Sequence, residues 1–194
     1  MKLLEEFNGE RLPKLETDRL VLRQCTLEDA SDIFLYSSLE EASYNAGFRT
    51  SQSIEDTYEY LNHFHLNFYE AKKIPVGYGI TLKGEDKVIG TITFNTRHSD
   101  DVFEIGYILN PEYWGRGIVP EAGHAMLEVG FAILNLHKIE LRCYDYNQRS
   151  IRVAEKLGFK LEGTVRDRLD VRGNRCNECI YGLLKSEWLE NERN

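Results

Sequence analysis

The sequence has few of the residues that interrupt regular structure or crosslink a chain, with four prolines and four cysteines among 194 residues. Hydrophobic residues make up 42% of it and charged residues are interspersed among them, a composition that argues against extended disorder. No repeat or low-complexity linker is present in the sequence. We therefore expect one domain over residues 1–194, in which the polar residues 1 to about 14 form an N-terminal arm.

Long apolar runs are also missing from the sequence. No stretch approaches the roughly 18 residues that a membrane span needs. The chain also begins without the hydrophobic segment of a signal peptide. These absences predict a cytoplasmic protein that does not bind a membrane.

The cysteines and histidines do not form a predicted metal site. Cys176 and Cys179 lie three residues apart on a predicted strand, so their side chains face opposite sides of a sheet. His63 and His65 lie on a predicted helix, where a spacing of two turns the rings about 200° apart. No second cysteine or cysteine–histidine pair stands at ligand spacing, and no dense disulfide framework is apparent.

A positive charge balance is absent as well, since the formal net charge is −8 at pH 7. A chain of this charge without a basic stripe is not expected to bind nucleic acid. An acidic rim concentrates cationic acceptors such as peptide amino termini, lysines or polyamines near a cleft, although the same charge also serves solubility alone.

Hydrophobic periodicity predicts seven strands and four helices, the last of them short. The expected strands span about residues 20–24, 76–82, 88–95, 103–109, 139–143, 159–171 and 176–184. The expected helices span about residues 27–39, 54–72, 118–136 and 148–157. The strands around residues 76–109 form an antiparallel meander, whereas the crossover helix makes the strands at 103–109 and 139–143 parallel neighbours. The prediction is an α/β (mixed α+β) fold, a mostly antiparallel sheet of about seven strands with helices on both faces.

One segment joins a predicted strand to a helix through a glycine-rich turn. Residues 114–119 read Trp-Gly-Arg-Gly-Ile-Val, and Pro120 follows where a first helical turn tolerates proline. Glycines let the backbone approach a ligand closely, and unpaired N–H groups at a helix start attract phosphate. The spacing fits neither a P-loop nor a dinucleotide-binding loop, which has a third glycine where this chain has Pro120.

The same segment resembles the acyl-CoA loop of the GNAT superfamily of N-acetyltransferases, which usually reads Gln or Arg, two residues, Gly, one residue, then Gly or Ala. Trp114 stands at the first position, as is common in the branch that resembles the ribosomal-protein (Rim-type) N-terminal acetyltransferases, and Val119 at the last position departs from the pattern. Residues 147–159 resemble the second cofactor motif of the superfamily, and residues 15–23 resemble the first strand of this branch.

The resemblance implies a GNAT-like acyl-CoA N-acyltransferase fold that uses acetyl-CoA as a cosubstrate. In that fold the parallel strands splay apart, and the pantetheine arm of the cosubstrate pairs with exposed backbone in the gap. The cofactor-binding positions that match are Ile108, Leu109, Trp114, Gly115, Arg116, Gly117, Ile118, Val119, Asn147 and Ser150.

Two residues are predicted to be catalytic. Glu104 begins the strand before the loop and matches an acidic position of the branch, so it is the candidate general base, while the alternative is a solvated carboxylate. Ser150 matches a serine that relatives use to protonate the departing sulfur, and the alternative is a polar residue in a first helical turn. A carboxylate that some relatives carry is replaced near Leu169, which Asp167 and Asp170 flank.

The chemistry predicts direct transfer of an acetyl group from acetyl-CoA to a primary amine, because Cys143 has no adjacent histidine to activate it as an acyl carrier. The expected acceptor is the N-terminal α-amine of a protein, such as a ribosomal protein. The alternatives are a small amine (polyamine, antibiotic or toxin) as acceptor, or an acyl-CoA-binding module without turnover. An exposed strand edge near the C-terminus leaves both a monomer and a homodimer open.

Overall fold

The computed structural model describes residues 1–3 and 9–191 of the chain. Nine strands within this part form one sheet. They are β1 (Lys2–Leu3), β2 (Leu15–Glu16), β3 (Leu20–Arg23), β4 (Tyr78–Leu82), β5 (Gly90–Ser99), β6 (Val102–Leu109), β7 (Lys138–Tyr144), β8 (Lys160–Leu169) and β9 (Arg175–Leu184). Their order across the sheet is β1-β2-β3-β4-β5-β6-β7-β9-β8. All neighbours are antiparallel except β6 and β7, which confirms the mixed, mostly antiparallel sheet.

Seven α-helices accompany these strands in the described part of the chain. They are α1 (Ala30–Ser37), α2 (Glu40–Asn45), α3 (Ile54–Leu61), α4 (Phe68–Lys72), α5 (Ile118–Glu128), α6 (Gln148–Lys156) and α7 (Lys185–Asn191). Helices α2 and α7 were not predicted, because six or seven residues are too few to show a helical period. No helix in residues 1–3 and 9–191 has the length and apolarity to cross a membrane.

The two longest predicted helices are each widened by a π turn. Asn62–Leu66 separates α3 from α4, and Val129–Ile133 ends the helix that begins as α5. Gly130 lies within the second π turn, and a Cβ added to it would meet the side chain of Ile139 at 2.6 Å. The side chain of Ile139 on β7 therefore occupies the space that a side chain at Gly130 would fill.

The N-terminal segment does not behave as the predicted arm where the structure describes it. β1 pairs with β2 through Lys2 and Leu3, and the N–H of Leu12 donates to the carbonyl of Val76 at 3.1 Å. Leu12 and Leu15 are both fully buried. These two leucines anchor the segment, and the polar residues around them hide that signal in the sequence.

The core has two parts on opposite faces of the sheet. Residues of α5, including Ala122 and Met126, pack with Phe94, Ile105 and Leu141 on one face. On the other face α1, α2 and α3 cover a second cluster, whose members are Cys25, Ala30, Ile33, Tyr36, Ala42, Leu61, Val88 and Ile108. Helices therefore lie on both faces of the sheet, as predicted.

The parallel strands separate partway along their length. The β6–β7 ladder runs from Val102 with Lys138 to Ile105 with Leu141, and then stops. β6 continues to Leu109 and pairs there only with β5, while β7 continues to Tyr144 and pairs with β9. A gap between the strands opens beyond Ile105, at the place where the sequence predicted it.

Candidate active site

Two adjoining cavities lie beside the end of β6, where the gap opens. The first has a volume of about 220 Å³ and is lined by the glycine-rich loop, the start of α5 and one face of α6. The second has a volume of about 370 Å³ and lies over β5, β6 and β7 under the segment that follows α2. Five residues line both cavities, namely Asn45, Ala46, Tyr107, Ile108 and Ser150. The two cavities therefore meet at the end of β6 and the start of α6.

The glycine-rich loop wraps the end of the first cavity. Gly115 and Gly117 have φ angles of 75° and 74°, a left-handed conformation that favours glycine. The indole Nε1 of Trp114 donates to the carbonyl of Leu109 at 2.9 Å and so fastens the loop to β6. Since α5 begins at Ile118, the first-turn N–H groups lack intrahelical acceptors and remain available to an anion.

The N-terminal motif braces this loop from outside the cavity. The hydroxyl of Thr17 donates to Oε1 of Glu121 at 2.5 Å, and Nε of Arg19 donates to Oε2 of the same carboxylate at 2.6 Å. Nη1 of Arg19 also donates to the carbonyl of Arg116 at 2.9 Å. Burial acts to raise the pKa of Glu121, but the hydrogen bonds from Thr17 and Arg19 to its carboxylate prevail and hold it below its usual range. The first strand motif thus fixes the turn that leads into α5.

Basic side chains of α6 form a second wall of the first cavity. Arg149, Arg152 and Lys156 line it at spacings of three and four, which place them along one helical face. The guanidinium of Arg149 lies over the ring of Trp114 at 4.4 Å. The prediction missed this basic wall, although the same spacing is readable in the sequence.

Most of the predicted cofactor residues line the first cavity, and one does not. Ile108, Leu109, Trp114, Gly115, Gly117, Ile118, Val119, Asn147 and Ser150 are all part of its wall. Arg116 is not, and its guanidinium lies instead over the ring of Tyr113 at 5.3 Å. Val119 is also a core residue with 7% of its surface exposed, so the departure from Gly or Ala is absorbed by packing.

Asn147 and Ser150 belong to one hydrogen-bond network at the junction of the cavities. Oδ1 of Asn147 accepts from the N–H of Ser150 at 3.1 Å, as a helix N-cap does. Nδ2 of Asn147 donates to Oγ of Ser150 at 3.0 Å and to the carbonyl of Asn45 at 2.7 Å. Both amide hydrogens are therefore engaged by protein atoms, and the second lone pair of Oδ1 is what Asn147 has left for a ligand.

Tyr107 completes this network, and sequence reasoning did not single it out. Its hydroxyl donates to Oγ of Ser150 at 3.0 Å. Burial raises the pKa of Tyr107 above its ordinary value, and the hydrogen bond to Ser150 opposes that effect, so the phenol is protonated at neutral pH. No local motif marks this residue, because its partner is 43 positions away in the chain.

Glu104 lines the second cavity, not the first. Its Oε2 lies 3.3 Å from Nε of Arg142 and 3.3 Å from Nε2 of His98. Burial raises the pKa of Glu104, while the charge of Arg142 and the hydrogen bond from His98 oppose the shift. The alternation of β6 alone could not assign its face, and the structure directs it toward the cavity.

Arg142 is shared among several carboxylates beside this cavity. Nη2 lies 3.2 Å from Oε2 of Glu140, and Nη1 lies 3.9 Å from Oε2 of Glu178. Glu178 lines the second cavity, and neither its buried Oε2 nor Oδ1 of Asn95 has a hydrogen-bond partner within residues 1–3 and 9–191. The second cavity is therefore lined by two carboxylates and one guanidinium, and offers buried acceptors to a donor.

The segment around Leu169 has a structural role away from the two cavities. Leu169 is 55% exposed at the end of β8 and lines neither cavity. Asp170 is buried and accepts from the hydroxyl of Tyr44 at 2.5 Å and from the N–H groups of Arg172 and Asn174. Asp170 thus ties the turn after β8 to α2.

The first cavity suits the donor side of an acyl-CoA. Its glycine turn and helix start offer N–H groups, its α6 wall offers three cations, and the unpaired edge of β6 offers backbone partners to an extended amide chain. The acyl end would then lie at the junction beside Ser150 and Tyr107, facing the second cavity.

Comparison with known proteins identifies the family. The acetyltransferase (GNAT) domain model matches residues 19–160. The uncharacterized N-acetyltransferase YoaA of Bacillus subtilis (strain 168) is 33% identical over 174 residues, which cover 89% of this chain and 97% of that protein. Spermidine N(1)-acetyltransferase of Escherichia coli (strain K12) is 31% identical over 97 residues, which cover 48% of this chain and 51% of that enzyme.

Solved structures agree with this result. An acetyltransferase (GNAT family) from Bacillus anthracis superposes with a TM-score of 0.79 at 27% identity, covering 90% of this chain and 99% of that one. The ribosomal-protein-S5-alanine acetyltransferase from Vibrio fischeri has the same fold, with a TM-score of 0.74 at 24% identity and coverage of 90% and 98%. The chain therefore belongs to the GNAT family of acetyl-CoA-dependent acetyltransferases.

Proposed function

We propose that this enzyme transfers the acetyl group to the N-terminal α-amine of a protein, such as a ribosomal protein. The observation that carries the proposal is the junction of the two cavities, where Ser150 and Tyr107 face both the donor side and the acceptor side. Glu104 lies in the wall of the acceptor side, in the position of a base for the incoming amine.

The pKa of the protonated acceptor amine favours an α-amine over a lysine side chain. A peptide α-amine has a pKa of about 8 and a lysine side chain one of about 10.4, so near neutrality the α-amine is unprotonated far more often. Forming the neutral, nucleophilic amine therefore costs roughly 3 kcal/mol less for the α-amine than for the lysine side chain. A partly buried glutamate with a raised pKa is a base of modest strength, which suffices for an α-amine.

The lining of the second cavity suits a peptide backbone. Thr91, Thr93 and Thr96 from β5 contribute hydroxyl groups, and Arg142 contributes a cation next to the acceptor groups of Glu104. An α-amine is always followed by a carbonyl, so such an acceptor presents both a donor and an acceptor to this mixed wall.

A small amine is the second candidate acceptor. Among the residues that the structure describes, Oε2 of Glu178 and Oδ1 of Asn95 have no hydrogen-bond partner, and an additional ammonium group in the second cavity would satisfy them. The match of about half the chain to a spermidine N(1)-acetyltransferase points the same way. Arg142 counts against a polyamine, because its guanidinium stands among these carboxylates.

The two acceptor classes are separated by one assay. Purified enzyme and acetyl-CoA are incubated with a pool of free-N-terminal peptides, N-blocked lysine peptides, spermidine and spermine, and acetylation is read by mass spectrometry. We expect modification of peptide α-amines alone. Acetylated spermidine or spermine with unmodified peptides would contradict the proposal in favour of the small-amine acceptor. Acetyl-CoA binding with no product from any of these amines would contradict both.

A further inference from the structure

We propose that Tyr107 is a proton-relay residue, which passes a proton through Ser150 to the departing thiolate of CoA. The inference rests on the proposed direct transfer, and adds a group that no sequence motif indicates. It follows from the hydrogen bonds around a single oxygen atom, Oγ of Ser150.

Two donors already point at this oxygen. The hydroxyl of Tyr107 and Nδ2 of Asn147 each lie 3.0 Å from Oγ of Ser150. A serine oxygen has two lone pairs and one hydrogen, so both lone pairs are occupied. Within residues 1–3 and 9–191 the Ser150 hydroxyl hydrogen has no hydrogen-bond acceptor among the protein atoms. That hydrogen is free to point into the cavities that Ser150 lines.

This arrangement prepares Ser150 as a donor and leaves it unable to act alone. An aliphatic hydroxyl is a much weaker acid than a thiol, whose pKa is about 8.5, so an isolated serine would not protonate a thiolate. A phenol has an ordinary pKa of about 10, far closer to that of the thiol, and although burial raises the pKa of Tyr107 its phenol stays a stronger acid than an aliphatic hydroxyl. If Tyr107 donates a proton to Ser150 while Ser150 donates its own to the sulfur, the phenol is the effective acid.

Protons and electrons balance over the transfer of the acetyl group. The acceptor nitrogen attacks the thioester carbonyl, the N–C bond forms, and the C–S bond breaks with its electron pair going to sulfur. Ser150 donates its hydroxyl proton to that sulfur and receives the proton of Tyr107. The tyrosinate receives the proton lost by the acylated nitrogen, directly or through Glu104 and water in the second cavity. One proton moves from nitrogen to sulfur, and the enzyme returns to its starting state.

Two observations assign this role to Tyr107 instead of Asn147. An amide N–H stabilises an oxyanion but does not release its proton, whereas a phenol does both. Tyr107 also lines both cavities, so its hydroxyl links the donor side to the side where the nitrogen loses its proton. Asn147 lines only the first cavity and is held there by Asn45.

The test does not require a known acceptor. CoA is bound to the full-length wild type, Tyr107→Phe, Ser150→Ala and the double variant, and its thiolate is titrated by ultraviolet absorbance. Tyr181→Phe is the matched control, because Tyr181 is a buried tyrosine on β9 outside both cavities. Donors to sulfur lower the thiol pKa, so Tyr107→Phe should raise it by about one unit. Ser150→Ala should raise it at least as much, and the double variant no further.

Steady-state kinetics supply the second readout with whichever amine the wild type acetylates. Tyr107→Phe should lower kcat on the order of 100-fold with the Kd for CoA within twofold of wild type, whereas a structural role would change affinity or the melting temperature. A bound thiol that titrates in Tyr107→Phe as it does in the wild type would overturn the inference, as would unchanged kcat. If no amine is acetylated by the wild type, the proposed function fails while the titration still decides the role of Tyr107.

Discussion

The guanidinium of Arg19 and the carboxylate of Glu121 form an ion pair at 2.6 Å across 102 positions of the chain. Glu121 lies in the first turn of α5, directly after the loop that walls the first cavity. An acidic side chain beside an anion site would repel phosphate, and Arg19 neutralises it while also holding the carbonyl of Arg116. The N-terminal motif is thus part of the cosubstrate site without lining it.

Replacing Arg19 should therefore weaken cosubstrate binding more than it weakens the fold. Arg19 is about half exposed, so an exposed pair of this kind contributes at most about 1 kcal/mol to stability. We expect Arg19→Ala to raise the Kd for acetyl-CoA about tenfold, equivalent to about 1.4 kcal/mol, by calorimetric titration. Arg175→Ala removes an exposed arginine paired with Asp167 and serves as the control. Equal affinities for both variants would refute the bracing role.

Glu104 should set the acidic limb of the pH–rate profile. A protonated carboxylic acid cannot accept a proton, so kcat/KM for the acceptor falls as the pH drops through the pKa of Glu104. Because burial raises that pKa, the limb should lie above the ordinary value of 4.5. Glu104→Gln should remove this limb and lower kcat on the order of 100-fold, with acetyl-CoA affinity nearly intact.

The control for that experiment is Glu140→Gln. Glu140 is the register partner of Glu104 on β7, but it lines neither cavity. Burial acts to raise its pKa, yet the hydrogen bonds from Lys138 and Arg142 prevail and hold it below the usual range. Glu140→Gln should keep the acidic limb. Unchanged turnover of Glu104→Gln would remove Glu104 from the mechanism.

The basic side chains of α6 should contribute to the binding of acetyl-CoA and not to the chemical step. Arg152→Ala with Lys156→Ala removes two cations from the first cavity without touching the junction residues. Each partly exposed contact with phosphate is equivalent to up to about 1 kcal/mol, so KM for acetyl-CoA should rise roughly fivefold at constant kcat. The increase should shrink at high salt, because mobile ions screen such contacts. Lys160→Ala, an exposed lysine paired with Glu187, is the control, and an equal rise there would contradict the assignment.

Gly90 should be intolerant of any side chain. A Cβ added there would lie 2.6 Å from the carbonyl oxygen of Ile108, a backbone atom of the strand that edges the gap. Gly90→Ala should therefore cost about 1–3 kcal/mol of unfolding free energy in urea denaturation. Gly163→Ala is the control, since a Cβ at that position meets nothing within 4 Å. Equal stabilities would show that β5 and β6 adjust freely at this point.

The sequence predicted the features that local patterns encode. The strand, glycine turn and helix around residues 103–119 form a contiguous pattern, and so do the capped α6 and its preceding Asn147. Their placement at one gap was confirmed, because the crossover rule fixes β6 and β7 as parallel neighbours.

The remaining features depend on contacts between distant segments. Tyr107 lies in a regular strand, and only the packing of α6 places Ser150 next to it. In the same way, Arg19 meets Glu121 only because β3 lies beside α5. The face of Glu104 could not be read from the alternation of β6, which assigns residues to two faces without saying which face holds the cavity. Leu12 joins the core through Val76, far along the chain, and so appeared to belong to an arm.

The bond from Asn147 to the carbonyl of Asn45 has a consequence for how the two substrates influence each other. Asn45 ends α2 and lines both cavities, so the segment that follows α2 over the second cavity is tied to Asn147, the residue that caps α6. If the pantetheine arm changes the strength of this bond, it changes how firmly the segment that follows α2 is held over the second cavity. Thermodynamic reciprocity then requires the amine to change the affinity for acetyl-CoA by the same factor, a heterotropic coupling between the two substrates.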